Sequence, residues 1–411
     1  MPYIKNLECL KCGKTYPAVP DSYTCPSCGS EGILDVIYDY KAISANVSKE
    51  KLKDNKNYSM WRYLPWLPVI AETIPPLKVG WTPVYNAERL ADVIGLKTLY
   101  VKDDGLNPTA SLKDRASAVA VAKAVEAGAD TIACSSTGNA ASSLAGNAAS
   151  VGLKSCIFVP GRAPQGKIAQ LLIFGATVVS VQGSYEDAFK LSAEAIDRWG
   201  WYNRNAGINP YMVEGKKTVS MELCEQLNWH VPDWIVLSVG DGCTIGGAWK
   251  GLVDLYETGF IDRLPKVLGV QAEGCCPITT AFINNEPLRP SEENTLADSI
   301  AVGVPRNPDK ALRAIRDSHG TMINVSDAQI LEAMRLLGRT IGVFGEPAGV
   351  TGLAGIQKAI AEGIIHQDES VAFVVTGNGL KDVQNAIRAV SEPIKVPPEM
   401  DLLVKALSER G

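Results

Sequence analysis

Asn107-Pro108-Thr109-Ala110-Ser111-Leu112-Lys113-Asp114-Arg115 places one lysine where its amine can work as a nucleophile rather than as a solvated charge. Pro108 disfavours helix at Asn107, Ser111 is a good N-cap, and Asp114 three residues later completes a capping-box pattern. A helix is therefore expected from close to Leu112 through Glu126. Lys113 then lies in the first helical turn, where the positive end of the helix dipole repels an ammonium and favours the neutral amine that forms Schiff bases. The plain alternative is an exposed lysine that follows a cap, and the stretch alone leaves both open.

Outward from this helix, short apolar runs alternate with longer helical patterns. Strands are expected at 98–101, 131–134, 155–159, 177–181, 234–239, 267–271 and 371–375. Helices are expected at 113–127, 139–151, 164–174, 185–199, 216–228, 245–258, 327–339, 350–362 and 380–391. This alternation predicts an α/β fold with largely parallel sheets. Residues 41–80, rich in proline and aromatics, read as an irregular connector.

Three of the expected strands run into turns rich in glycine and hydroxyls that open helices, the usual place for ligands in open α/β sheets. Ser135-Ser136-Thr137-Gly138-Asn139 offers hydroxyls and a helix start able to hold a carboxylate or phosphate; a well-capped, closely packed helix is the alternative. Gly240-Asp241-Gly242-Cys243-Thr244-Ile245-Gly246-Gly247 can form a backbone nest for a phosphate, although a lone glycine-rich loop is often only a tight turn. It fits neither the dinucleotide glycine pattern nor the nucleoside-triphosphate loop. Thr376-Gly377-Asn378 presents a hydroxyl at a strand end. One low-pKa lysine, one phosphate nest, one carboxylate loop and one strand-end hydroxyl together fit pyridoxal 5'-phosphate, an aldehyde cofactor bearing a phosphate.

Near the N-terminus, Cys9-x-x-Cys12-Gly13 and Cys25-x-x-Cys28-Gly29 form two knuckles whose four thiolates suit one tetrahedral structural zinc, with a redox dithiol pair as the alternative. A closed four-cysteine site has no open position for catalysis, so this zinc ribbon reads as a structural appendage. The net charge of −5 disfavours nucleic acid or an anionic membrane surface as the main partner. No apolar run approaches a membrane span, no signal-peptide pattern opens the chain, and the cytoplasm is the expected location. Histidines occur only at 230, 319 and 366, away from the other candidates, so histidine-centred chemistry is a poor hypothesis.

With these residues in view, the chain resembles the threonine synthases, in the tryptophan-synthase-β-like group of fold-type II pyridoxal phosphate enzymes. That family typically carries Asn-Pro-Thr-Gly-Ser-Phe-Lys-Asp-Arg, and residues 107–115 match it with Ala110 and Leu112 in place of glycine and phenylalanine. The resemblance implies that Lys113 holds the cofactor as a Schiff base and then moves protons. It implies that Asn139 contacts the ring hydroxyl, that Ser136 and Thr137 grip the substrate carboxylate, and that Gly240, Asp241, Gly242, Cys243 and Thr244 hold the cofactor phosphate. Thr376 looks like the residue that offers a neutral hydroxyl to the pyridine nitrogen. Glu346-Pro347-Ala348-Gly349 resembles a segment that lines the site in this group, with no role assigned to it. The implied activity converts O-phosphohomoserine and water to threonine and phosphate, on a small amino-acid substrate, in an enzyme whose relatives are commonly homodimers.

The implied architecture is a tryptophan-synthase-β-like two-domain fold with a zinc ribbon at residues 1–44. A large α/β domain takes 45–110 and 210–411, and a small α/β domain takes 111–209. Two departures stand out. Asp241 repels a phosphate unless its side chain turns outward, which leaves the contacts to backbone N–H groups and Thr244. The second concerns an Asn-Ser-x-Asn-Pro-x-Arg segment that binds the substrate phosphate in many members; here Ala206, Gly207 and Met212 stand at its asparagine, serine and arginine. Lys216, Lys217, Arg162 and Lys167 are the candidate replacements for the lost cation. The departure keeps open another lyase or β-replacement enzyme on the same cofactor, such as a dehydratase or an enzyme acting on O-phosphoserine. A non-catalytic nucleic-acid-binding scaffold is disfavoured by Lys113, Asn139 and the net negative charge.

Overall fold

A computed structural model describes residues 3–161, 165–205 and 207–408. Its strands build three sheets. β1 (Ile4–Cys9), β2 (Thr15–Tyr16) and β3 (Leu34–Tyr38) form an antiparallel sheet in the order β2-β1-β3. β4 (Val84–Asn86), β5 (Thr98–Asp103), β10 (Trp234–Ser238), β11 (Lys266–Ala272), β12 (Thr321–Val325) and β13 (Ser370–Val375) form a six-stranded sheet. Its order is β12-β11-β10-β13-β5-β4, parallel except where β4 meets β5. β6 (Thr131–Ser135), β7 (Lys154–Pro160), β8 (Thr177–Val181) and β9 (Tyr202–Asn203) form a parallel sheet in the order β8-β7-β6-β9.

The parallel strands lie between helical layers. Every residue of β6 and β10 is buried, as near-continuous apolar runs require in a sheet covered on both faces. All seven expected runs are strands. β1, β2, β3, β4, β9 and β12 have no counterpart in the expectation. The first three belong to the cysteine-bearing segment, and β4 and β9 are too short to show a period. Residues 41–80 are less irregular than expected: Tyr40–Asn46 and Lys49–Asp54 are short helices capped by Asp39 and Ser48, and a 3-10 segment spans Met60–Trp66.

The cysteine-bearing sheet, read from the sequence as a structural appendage, shares the main apolar core. Leu7, Leu34 and Val36 belong to the same apolar core as Trp66 and Leu252, and Trp66 meets Phe260 edge-on at 5.2 Å. On the next face of β3, the Asp35 carboxylate accepts from Lys250 Nζ at 2.8 Å and from Lys310 Nζ at 2.7 Å. Tyr38 donates from its hydroxyl to Glu214 at 2.9 Å. The sheet thus braces the helices Cys243–Glu257 and Pro308–Asp317.

Candidate active site

The helix Lys113–Glu126 begins where the sequence places it, but not by a capping box. Leu112 stands at the N-cap with no side-chain cap, and the Ser111 hydroxyl is buried without a hydrogen-bond partner. Asp114 instead accepts from Thr109, from its backbone N–H and its hydroxyl, both at 2.8 Å, and from Asn147 Nδ2 at 2.9 Å. The carboxylate that was expected to cap the helix ties down the loop before it.

Arg115 anchors the same turn from the other side. Its guanidinium donates to Asp104 from Nε at 2.6 Å and from Nη2 at 2.8 Å, and to Glu222 from Nη1 at 2.6 Å. Lys102 completes this buried network on Glu222 at 2.8 Å. Behind it, the helix Tyr211–Lys216 approaches so closely that a Cβ on Gly215 would lie 2.0 Å from the Arg115 carbonyl oxygen. Only glycine fits there.

Held between these anchors, Lys113 keeps some contact with the cleft while protein surrounds its amine. Burial lowers its pKa to about 8, with the nearby Lys216 and Arg204 cations acting in the same sense and Asp241 and Cys243 opposing them. Desolvation thus leads where the sequence pointed to the helix dipole. About a tenth of the amine is then neutral at pH 7, far more than for an ordinary lysine, as a nucleophilic amine requires.

The loop before Lys113 is stitched to the end of β13. Leu112 donates from its N–H to the Thr376 carbonyl at 2.8 Å, and Asn378 N–H donates to the Ala110 carbonyl at 3.0 Å. Thr376 is therefore fixed beside the start of the Lys113 helix, with its side chain partly exposed. Ala110 itself takes a left-handed backbone, φ 66°.

Two more helix starts complete the cleft. The helix Cys243–Glu257 is N-capped by Gly242 with φ 87° and no side-chain cap, so its first-turn N–H groups are free for an anion. A Cβ on Gly242 would lie 2.4 Å from the Asn307 carbonyl oxygen, which makes glycine obligatory. Asp241 turns away: its carboxylate accepts the Arg306 N–H at 3.1 Å. The helix Asn139–Ser150 also starts without a side-chain cap, after Ser136, Thr137 and Gly138.

Asn139 Nδ2 donates to Glu346 Oε1 at 2.7 Å and to the Ser299 hydroxyl at 3.3 Å. Glu346 is buried and its pKa is raised to about 7 by that burial, opposed by Lys381, the Asn139 hydrogen bond, Lys113 and Lys167. Both residues border a cavity of about 590 Å³, together with Thr137, Ser142, Lys167 and Lys381. Lys113 and residues 240–244 are not part of that lining, but the Lys113 ammonium acts on Glu346, which is. The sequence singles out Glu346 and, in the turn after Thr376, Lys381, with no role for either, and gives no signal for Ser299 or Arg204, neither of which stands in a motif.

The four candidate cations meet different fates. Lys217 lies between Glu214 and Asp254, 2.6 Å from each. Lys167 pairs with Asp298 at 2.6 Å beside the cavity mouth. Arg162 and the altered position Ala206 lie outside the described residues. Lys216 is buried and has no carboxylate partner among the described residues; burial lowers its pKa.

Away from the cleft, the sulfur atoms of Cys9, Cys12, Cys25 and Cys28 all lie within 4.8 Å of one another. Gly13 and Gly29 take positive φ just after each knuckle, 68° and 63°, turning the backbone around the sulfurs. The arrangement can hold one metal ion, and no cysteine in the described residues forms a disulfide.

The family model described as pyridoxal-phosphate dependent enzyme matches residues 76–377, the span from β4's approach to the end of β13. The chain is 43% identical over 406 residues to a threonine synthase of Methanocaldococcus jannaschii, covering 98% of this chain and 99% of that one. It is 42% identical to a threonine synthase of Methanosarcina acetivorans, covering 98% of each. Among solved structures it is similar in fold to diaminopropionate ammonia lyase from Escherichia coli, with TM-score 0.66 and 20% identity over 83% of this chain and 91% of that one. The chain belongs to the threonine synthase family. No helix among the described residues is long and apolar enough to cross a membrane.

The residues present fit pyridoxal phosphate. The partly neutral amine of Lys113, the uncapped helix start behind Gly242 and the orphaned Ser111 hydroxyl are unmet needs within one cleft.

Proposed function

We propose that this protein is a threonine synthase, converting O-phosphohomoserine and water to L-threonine and phosphate at the Lys113 cleft. The observation that carries the reading is full-length likeness to threonine synthases of 43% and 42% identity, joined to a half-buried lysine with its pKa lowered to about 8. When bound, pyridoxal phosphate draws electrons from the substrate's α carbon.

Lys113 Nζ holds the cofactor and then takes the substrate's α proton. The free N–H groups behind Gly242, with Cys243 and Thr244, hold the cofactor phosphate, and Asp241 stays turned toward Arg306. Ser136, Thr137 and the start of the Asn139 helix orient the substrate carboxylate. Asn139 would face the ring hydroxyl, and Thr376 would give the ring nitrogen a neutral partner. A β proton is lost and phosphate leaves the γ carbon with its bonding electrons. The γ carbon gains a proton, the oxygen of water joins the β carbon as that water gives up a proton, and a proton returns to the α carbon, leaving threonine and phosphate. The four cysteines hold a structural zinc rather than a catalytic one. Six thiols outside the metal ribbon, with no disulfide among the described residues, suit the cytoplasm.

The test is incubation of the cofactor-loaded protein with O-phospho-L-homoserine, with threonine, ketoacid and free phosphate quantified together. Equal threonine and phosphate are expected, and Lys113→Ala should abolish turnover and release the cofactor's visible absorbance on dialysis. Ala206, Gly207 and Met212, where the family's substrate clamp departs, favour a second reading as a lyase or β-replacement enzyme on another amino acid. Ketoacid without threonine would select it.

A further inference from the structure

The buried cations of this chain fall into two groups. Arg62, Lys102, Arg115, Lys123, Lys217 and Lys310 each touch a carboxylate. Arg204 and Lys216, 1% and 2% exposed, touch none among the described residues. Burying a cation without a counter-charge costs several kcal/mol, and these two lie within electrostatic reach of Lys113, with Arg204 acting on Lys216 as well, an arrangement suited to an anion.

The hydrogen bonds of the two side chains are equally incomplete. Arg204 donates from Nε at 3.2 Å and from Nη2 at 3.0 Å to one and the same acceptor, the Ser117 hydroxyl, and Nη1 has no acceptor among the described residues. Lys216 Nζ likewise has none. Both cations act on the amine of Lys113, and both feel Asp241 and Cys243 at the glycine-rich turn. Lys216 also lies against the first turns of the Cys243 helix, where a Cβ on Gly247 would be 3.0 Å from its own Cβ. Asp241, the acid nearest to hand, is held off by the Arg306 N–H.

We propose that Arg204 and Lys216 form the clamp for the phosphate ester of the substrate. The assignment rests on the threonine synthase reading. Two fixed positive charges match one phosphate monoester dianion, and a planar guanidinium beside a point charge supplies several charge-assisted donors. The cofactor's phosphate already has neutral donors in the N–H groups behind Gly242. The two cations bracket residues 205–215, a stretch with no lysine or arginine of its own and the one in which the family's substrate clamp departs. Charge lost from position 212 is restored from 204 and 216.

Neighbouring cations are otherwise engaged. Arg306 packs against Gly207, where a Cβ would lie 2.4 Å from its own Cβ, and its guanidinium lies over Phe189. Lys381 donates to Ser142 and Gln170, both at 2.9 Å, on the far side of Asn139.

The test titrates holoprotein with O-phospho-L-homoserine and, separately, with L-homoserine, following the absorbance of the bound cofactor. Lys216→Met and Arg204→Met should each weaken O-phospho-L-homoserine by about tenfold or more and leave L-homoserine unchanged. KM should rise more than kcat falls, and Lys216→Arg should restore most of the affinity. The cofactor-free variants should melt at the wild-type temperature or above it, because each loses an uncompensated buried charge. Equal weakening of both ligands, or no change in either, overturns the clamp while wild-type threonine production leaves the function standing. Loss of the cofactor with an unchanged preference for the phosphorylated ligand would move the pair to the cofactor's phosphate and overturn the assignment. Wild-type protein that prefers neither ligand and makes no threonine removes the functional reading itself.

Discussion

Asn139 and Glu346, more than 200 residues apart in sequence, meet across a 2.7 Å hydrogen bond that joins the start of one helix to the start of another. The amide that faces the cofactor's ring hydroxyl in the proposed site is thus oriented by a carboxyl group which burial holds at a pKa of about 7.

Glu346 gives the cofactor-free protein a pH-dependent stability. Its folded pKa is raised above the unfolded value near 4.5, so its contribution is fully present below that value and is lost as pH rises through about 7. Lys381, Lys113 and Lys167 face the same carboxyl and soften the loss. Glu346→Gln should remove this dependence: the variant's stability relative to wild type should rise between pH 5 and pH 8, by on the order of 3 kcal/mol at most. Urea midpoints for both proteins across that interval check it, and parallel curves would refute it.

Ala110 stands at φ 66°, where the resembling family carries glycine. Left-handed backbone costs an L-residue about 1–2 kcal/mol, partly offset by the extra freedom of glycine in the unfolded chain. Ala110→Gly should therefore stabilise the protein by about 0.5–1 kcal/mol. A denaturation midpoint that falls would show that the loop relaxes around alanine.

Arg115 is balanced by Asp104 and Glu222 with every side chain fully enclosed. Arg115→Met leaves the buried Asp104 without a cation and Glu222 with Lys102 alone, and should destabilise by about 3–5 kcal/mol. The same change should impair cofactor retention, because Arg115 fixes the turn that carries Lys113. Unfolding free energy and cofactor content measured on one preparation would separate the two effects.

Metal analysis should find one zinc per chain on the four cysteines. Removing it with a chelator, or changing Cys12→Ser, should lower the melting temperature by on the order of 5–10 °C, since the ribbon shares the main core and Asp35 neutralises two lysines. A metal-free protein that melts unchanged would make the ribbon dispensable.

β6 and β10 were legible because they are buried throughout and read as apolar blocks, and β8, though partly exposed, because its valines form a short apolar run. β12 escaped because Asn324 interrupts it, and Thr321 and Asn324 are only half-buried. Lys113, Asn139 and the 240–244 turn could be read from local spacing, since each occupies a helix start with its own chemical signature. The Ser111 cap was misread because Asp114 found better partners in Thr109 and Asn147, the second of them 33 residues away. Glu346 and Arg204 could not be read as site residues, because what singles them out is burial and the partners they have or lack. Lys216 and Lys217 are alike in sequence, and only the fold gives Glu214 and Asp254 to one of them.

The order of the six-stranded sheet has a consequence for synthesis. β13 lies between β10 and β5, yet it is made last, so a chain emerging from the ribosome holds the two halves of this sheet without the strand that joins them. At about 5–20 residues per second, the Lys113 helix waits on the order of ten seconds or more for that strand. Thr376 follows directly, and with it the carbonyl that receives the Leu112 N–H. Incomplete chains therefore carry the reactive lysine but no wall opposite it, and the cleft comes into being in the same step that closes the sheet.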